Sequence, residues 1–144
     1  MRRVLRATVL GVIAMLLPIS VVQARAQQET AEHTAETSDL AWLTLADAGQ
    51  YGECWDASSA YFKAEVKRDQ WVGALGRVRG PLGKVVARVL GASTPKASLP
   101  GGPHGKYMVT QYATAFENKK NVVETIISTK ERDGVWRMAG YFIQ

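Results

Sequence analysis

Cysteine is nearly missing from this chain: Cys54 stands alone among 144 residues. A single thiol makes no internal disulfide, so no covalent staple holds the fold. No cysteine follows the apolar run near the start, which excludes lipid attachment at a new N-terminal cysteine. Cys54 sits beside Trp55 in an apolar helical pattern and reads as a small buried side chain; a dimerising or reactive thiol is the alternative. Histidine is as scarce. His33 and His104 lie far apart, and neither has a carboxylate or second histidine at ligand-like spacing. That argues against a metal centre and against acid–base use, and no cofactor motif is present. Long apolar runs are lacking too. Pro18 and Ser20 interrupt the stretch from Ala7 to Val22 before it reaches the roughly 18 residues of a membrane anchor.

What the start does carry is an export pattern. Arg2, Arg3 and Arg6 precede the apolar run, and Ala24-Arg25-Ala26 offers a small-x-small cleavage site. Residues 1–26 therefore read as a secretory signal peptide removed before Gln27, leaving a periplasmic or secreted product with no stable membrane anchor. Eighteen basic against thirteen acidic residues give +5 for the whole chain. The four arginines Arg2, Arg3, Arg6 and Arg25 leave with the signal, so the remainder carries only +1. The basicity is an export device, and nucleic acid is not an expected partner. Charge is also uneven: Gln27 to Phe62 has seven acids and no base, whereas Lys63 to Lys106 has nine bases and two acids. An anionic-ligand face opposed to an acidic segment is one reading, and two solvated halves that attract each other is the ordinary one.

Residues 27–37 contain no bulky apolar side chain and read as a mobile tail; residues 38–144 read as one domain with one core. Ser38 or Asp39 is suited to cap a first helix that Gly49 ends. Tyr51, Trp55, Ser58, Phe62 and Val66 then step at helical period, with a possible break at Asp56 to Ser59. Asp69 is suited to cap a third helix with a stripe of Trp71, Ala74, Leu75 and Val78, stopped by Gly80-Pro81-Leu82-Gly83. Val85 to Leu90 has strand character, a short helix being the alternative. Three prolines and three glycines between Ser93 and Gly105 predict a long loop or hairpin tip. Tyr107 to Ile143 holds three β-branched and aromatic runs split by polar turns, an antiparallel meander. A two-residue turn at Asp133-Gly134 would set Thr129 opposite Met138, Thr125 opposite Phe142 and Lys130 opposite Arg137. A three-residue turn with a bulge would flip one strand relative to its partner. The first is preferred here, which puts Glu124 on the polar face.

The combination of motifs resembles a known family of small exported bacterial proteins. It is carried by Trp42-Leu43-x-Leu-x-Asp47-x-Gly49-x-Tyr51, Trp55-Asp-Ala-Ser-Ser-x-x-Phe62-Lys63 and Gly80-Pro81-Leu82-Gly83. Leu99-Pro100-Gly101, Phe116-x-Asn118-Lys119-Lys120 with Glu124-Thr125, and Asp133-Gly134-x-Trp136-Arg137-x-x-Gly140-Tyr141 complete it. That family is catalogued only as domain of unknown function 4019, and the resemblance runs from about Leu40 to Ile143. It implies a fold similar to nuclear transport factor 2 and ketosteroid isomerase, with helices in the concavity of a curved sheet, and it implies no activity. Cys54 departs from the small polar residue usual there, which argues against a shared thiol chemistry.

The expected fold class is thus α+β, with N-terminal helices packed on a curved antiparallel sheet of three to four strands. Catalysis on such a scaffold needs an ionisable group inside an apolar pocket. Asp47 and Asp56 lie near helix ends, where turn bonding is their ordinary work, and Glu124 reads as a solvated sheet residue, so no catalytic residue is assigned. Arg77, Arg79, Lys84 and Arg88 cluster at the end of the third helix, where cations face its negative pole; a carboxylate or phosphate clamp is the sharper option. Six aromatic residues, Tyr112 and Trp136 among them, are able to line a pocket, although packing one core uses most of them. The candidate ligand-binding residues are Arg77, Arg79, Tyr112 and Trp136. The segment from Trp42 to Tyr51 is similar to one helix of a tetratricopeptide repeat, but no second copy follows at about 34 residues. The expected role is a non-catalytic small binding or interaction domain for a small-molecule or protein ligand, monomeric or homodimeric. An isomerase- or dehydratase-like enzyme using the same pocket is the alternative.

Overall fold

The computed structural model describes residues 19–144, so most of the expected signal peptide lies outside the described residues. Helix α1 spans Ile19–Asp47, α2 Tyr51–Asp56, α3 Ala60–Glu65 and α4 Arg68–Arg79, followed by a 3-10 turn at Gly80–Leu82. Four strands follow: β1 Val85–Lys96, β2 Tyr107–Phe116, β3 Val122–Lys130 and β4 Trp136–Ile143. They form one antiparallel sheet in the order β1-β2-β3-β4. The fold class is α+β, as the order of sequence patterns implied. No helix among the described residues is long and apolar enough to cross a membrane.

The expectation that regular structure begins at Ser38 or Asp39 is corrected, because α1 already includes Gln27 to Thr37. Alanine, glutamate and glutamine there are strong helix formers. The segment also has something to pack on: Ala35 is fully buried against Met108 and Trp136, with Ala31 beside it. Asp39 consequently lies within the helix. At the other end Gly49, at φ 72°, takes the left-handed conformation. The Gly49 and Gln50 amides close onto the carbonyls of Ala46 and Leu45, a Schellman ending. The expected break at Asp56 to Ser59 is real: Ser59 caps α3 by accepting the Phe62 amide at 3.2 Å. For α4, Lys67 takes the capping position without a side-chain bond, and Asp69 lies in the first turn, where an acid favours the helix dipole.

Strand β1 continues past Leu90 into the stretch expected as a loop, pairing Thr94 with Val109 and Lys96 with Tyr107. Pro95 is tolerated because β1 is an edge strand. Register shifts after Val85 and after Leu90 mark two bulges, which bend the strand. At the second, a Cβ on Gly91 would lie 3.3 Å from the Gln111 carbonyl oxygen, so the backbones approach closely there.

The β3–β4 turn is also corrected. The Gly134 amide bonds to the Glu131 carbonyl and the Glu131 amide to that of Val135, leaving Arg132, Asp133 and Gly134 as a three-residue loop. Gly134, at φ 81°, supplies the left-handed position this loop requires. Thr129 therefore faces Arg137, and Lys130 faces Trp136. A bulge at Ala139 then restores the expected pairing of Thr125 with Phe142. The inward set becomes Val122, Glu124, Ile126 and Ser128, all buried, against Trp136, Met138 and Tyr141. Glu124, expected on the polar face, has no exposed surface.

Helices cover this inner face. Trp42 and Leu43 of α1, Phe62 of α3 and Leu75 of α4 meet Tyr112, Ile126, Met138 and Tyr141 in the main core. Trp42 packs 5.1 Å from Tyr141 and 6.2 Å from Trp71, and Phe62 meets Trp71 edge-on at 4.9 Å. Such tilted pairs add to plain area burial. Among the described residues, no helix covers the outer face of the sheet. Val89, Ala113, Val123, Ile127 and Phe142 share it, with Val89 64% and Phe142 53% exposed.

Candidate functional site

Two polar clusters and one groove stand out once side chains are placed. The first cluster joins helices to sheet. Asp47 ends α1 four residues beyond Leu43, and Arg79 ends α4 four residues beyond Leu75, so helical period carries both to the core side. Alternation does the same for Glu124, two residues from Val122 and from Ile126. Glu124 Oε2 accepts from Arg88 Nε at 2.7 Å and from the Thr114 hydroxyl. Its Oε1 accepts from Arg79 Nη1 at 3.1 Å, Arg88 Nη2 at 3.2 Å and the Tyr141 hydroxyl. Asp47 takes a forked pair from Arg88, at 2.7 and 2.9 Å, and a further bond from Arg79 Nη2. The Arg79 guanidinium also lies 4.6 Å from the centre of the Phe116 ring.

Five donors converge on one buried carboxylate, and two guanidiniums are shared between two acids. Glu124 retains no free lone pair with which to take a substrate proton. Burial alone would lower the Arg88 pKa, but hydrogen bonds to Asp47 and Glu124 outweigh it and hold the guanidinium above its usual range. Burial drives the Tyr141 phenol upward, and the neighbouring Glu124 charge adds to that. The cluster is a closed structural lock whose members satisfy one another.

The second cluster is less complete. Asp39 is 1% exposed; Ser128 Oγ donates to its Oδ1, while Oδ2 has no partner among the described residues. Burial pushes the Asp39 pKa up to about 7, against the pull of the Ser128 and Thr110 hydroxyls. The Tyr112 hydroxyl is also buried, with no partner among the described residues, and burial followed by the Asp39 charge raises its pKa. Cys54 is fully buried, its thiol pushed up to about 12 by burial, so it is a packing residue and not a thiolate nucleophile.

The groove lies where α1 crosses the end of the sheet formed by the last residues of β1 and β3 and the first of β2 and β4. Its volume is about 850 Å3. Ala31 and Thr34 of α1 form one wall, and Tyr107, Met108 and Trp136 form the other. Lys96, Lys106 and Lys130 stand at its rim, all exposed. The Trp136 indole lines the groove while its Nε1 has no acceptor among the described residues. A smaller hollow of about 300 Å3 lies between α4 and the end of β4, beside Trp71, Val78 and Phe142.

The four sequence candidates do not share one site. Arg77 is exposed on α4, whereas Arg79 is 4% exposed and bonded to Asp47 and Glu124. Of the basic cluster at this helix end, Arg79 and Arg88 turn inward and hold the chain's own carboxylates; Arg77 and Lys84 face solvent. Tyr112 lies in the main core and Trp136 at the groove. Asp39 and the three rim lysines were missed. Asp39 stood at a plausible cap position, although its spacing of four from both Ala35 and Leu43 marked the buried face. The lysines come from separate turns and strand ends that only the sheet register brings together. Among the described residues, no group of three or more His, Cys, Asp or Glu side chains is placed to hold a metal ion.

No curated protein and no solved structure matches this chain. A family model does, over residues 38–141, which takes in the last turns of α1, the other helices and nearly all of the sheet. The chain belongs to the family described as Protein of unknown function (DUF4019).

Proposed function

We propose that the chain is an exported, non-catalytic binding domain that takes a small ligand in the groove between α1 and the sheet end. The observation that carries this reading is the groove itself: about 850 Å3 falls within the range of small-molecule sites, and apolar walls meet a few polar groups there. The saturated state of Glu124 supports a non-catalytic role. A nuclear transport factor 2-like architecture forms part of the proposal, supported by helices packed on the inner face of a bulged antiparallel sheet. Export rests on the basic start, the apolar run and the Ala24-Arg25-Ala26 site. A homodimer through the uncharged outer patch around Val89, Val123 and Phe142 fits the same picture. Native mass spectrometry of protein isolated from the periplasm or medium tests the reading. The expected mass begins near Gln27 and includes one retained small molecule per chain. A product that stays inside the cell, or a bare mass that binds nothing from an extract of its compartment, would overturn it.

Asp39 favours one second reading, an isomerase- or dehydratase-like enzyme, because an unpartnered buried carboxylate oxygen with a pKa of about 7 suits a general base. That reading requires substrate to reach a side chain 1% exposed. Turnover of a carbonyl substrate that disappears in Asp39→Asn would establish it.

A further inference from the structure

The charged side chains that line the groove are all of one sign, and this narrows the ligand class. Lys96 ends β1 opposite Tyr107, Lys106 immediately precedes β2, and Lys130 ends β3 opposite Trp136. The backbone tightens this arrangement, since the Lys130 amide donates to the Lys106 carbonyl at 2.9 Å. Three lysines thus line the groove from three neighbouring strand ends. Among the described residues, no carboxylate forms an ion pair with any of them. The acids nearest in sequence are engaged elsewhere: Glu131 accepts from Arg137 and the Ala60 amide, and Asp133 from Arg137.

A second, independent feature points the same way. Trp136 is 5% exposed and lines the groove, and among the described residues its indole N–H has no acceptor. An indole nitrogen only donates, and a buried donor without an acceptor is costly, so a ligand atom that accepts from it would be favoured. Uncompensated cations and an unmatched donor together call for an anion with accepting oxygens. The walls decide what the rest of that anion resembles. Ala31, Tyr107, Met108 and Trp136 offer an apolar surface on which an inorganic ion has nothing to gain, whereas a hydrocarbon body gains from each methylene buried.

We infer that the groove binds a single-chain anionic amphiphile, a carboxylate with an extended hydrocarbon tail. The head meets the lysine rim and the tail lies along Met108 and Trp136 under α1. This rests on the groove being a ligand site, as proposed above, and adds the chemistry of the ligand.

The test is a titration of the mature protein with sodium dodecanoate below its micellar concentration, read by tryptophan fluorescence and calorimetry. Dodecyl maltoside, with the same tail and no charge, and sodium acetate, with the same head and no tail, are run in parallel. Saturable binding of one dodecanoate per chain is expected, at least tenfold tighter than the maltoside, with no response to acetate. In the triple variant Lys96→Gln, Lys106→Gln and Lys130→Gln, dodecanoate binding weakens tenfold or more and becomes insensitive to salt, while the melting temperature stays unchanged because the lysines are exposed. Trp136→Phe keeps an aromatic ring, smaller than the indole, without the donor and weakens binding several-fold. Equal affinity for dodecanoate and the maltoside, or an unaffected triple variant, overturns the anionic assignment and leaves the groove as a site for a neutral apolar ligand. No binding of any of the three probes, together with a bare native mass, overturns both the assignment and the groove reading.

Discussion

Asp39 and Glu124 are both buried acids, and they should respond oppositely to losing their charge. Asp39 binds its proton more tightly folded than unfolded, with a folded pKa of about 7 against an ordinary 3.8. The stability this proton contributes is fully present below about pH 4 and is lost as the pH rises through 7. The loss is on the order of 4 kcal/mol once the group is ionised in its buried place. Asp39→Asn should therefore match the parent in acid and exceed it at pH 8, the gap opening between pH 4 and pH 7 in urea denaturation series. Parallel curves would show that Asp39 is solvated when charged. Glu124 stands in a different setting, where it accepts five hydrogen bonds, three of them from Arg79 and Arg88. Glu124→Gln should cost about 3–5 kcal/mol, because it leaves guanidinium charge buried with only Asp47 to answer it. An unchanged denaturation midpoint would show that the lock carries no stability. Burial of both acids was only half visible beforehand. Asp39 carried the chemistry of a cap, and Glu124 sat in a strand whose two faces both hold β-branched residues, so parity alone did not choose between them.

At the scale of elements, the order of helices and strands was legible because their periodicities and stops were. Gly49, Gly80-Pro81 and the polar turn before Val122 act locally and did what their chemistry dictates. Two features depended on partners distant in sequence. The early turns of α1 carry small side chains that mean little until Met108 and Trp136 lie beneath them. The β4 register hinges on a bulge at Ala139 and a three-residue loop, either of which alone would have turned one strand inside out. Deleting Gln27 to Thr37 should consequently lower stability by roughly 2–4 kcal/mol, since Met108 and Trp136 lose their cover. The same deletion should abolish ligand binding by removing a wall of the groove. Full retention of the melting temperature would show that this part of α1 does not stay docked.

For the molecule as a whole, architecture and site came from different kinds of information. Class and layer order follow from pattern, which each residue carries with it. The groove follows from convergence: two turns and one helix meet only after the sheet has closed its register. That is why the ligand candidates named from the sequence scatter over the fold, with Arg79 in a structural lock and Trp136 beside the rim lysines. The edge strand β1 carries a last consequence. Among the described residues no strand pairs with its outer side, which runs beside exposed Val86 and Val89, the makings of a template for stacking chain upon chain. Two bulges twist that border away from flatness, and Pro95 deletes one of its donors, so runaway fibre growth from this side is blunted by the backbone itself.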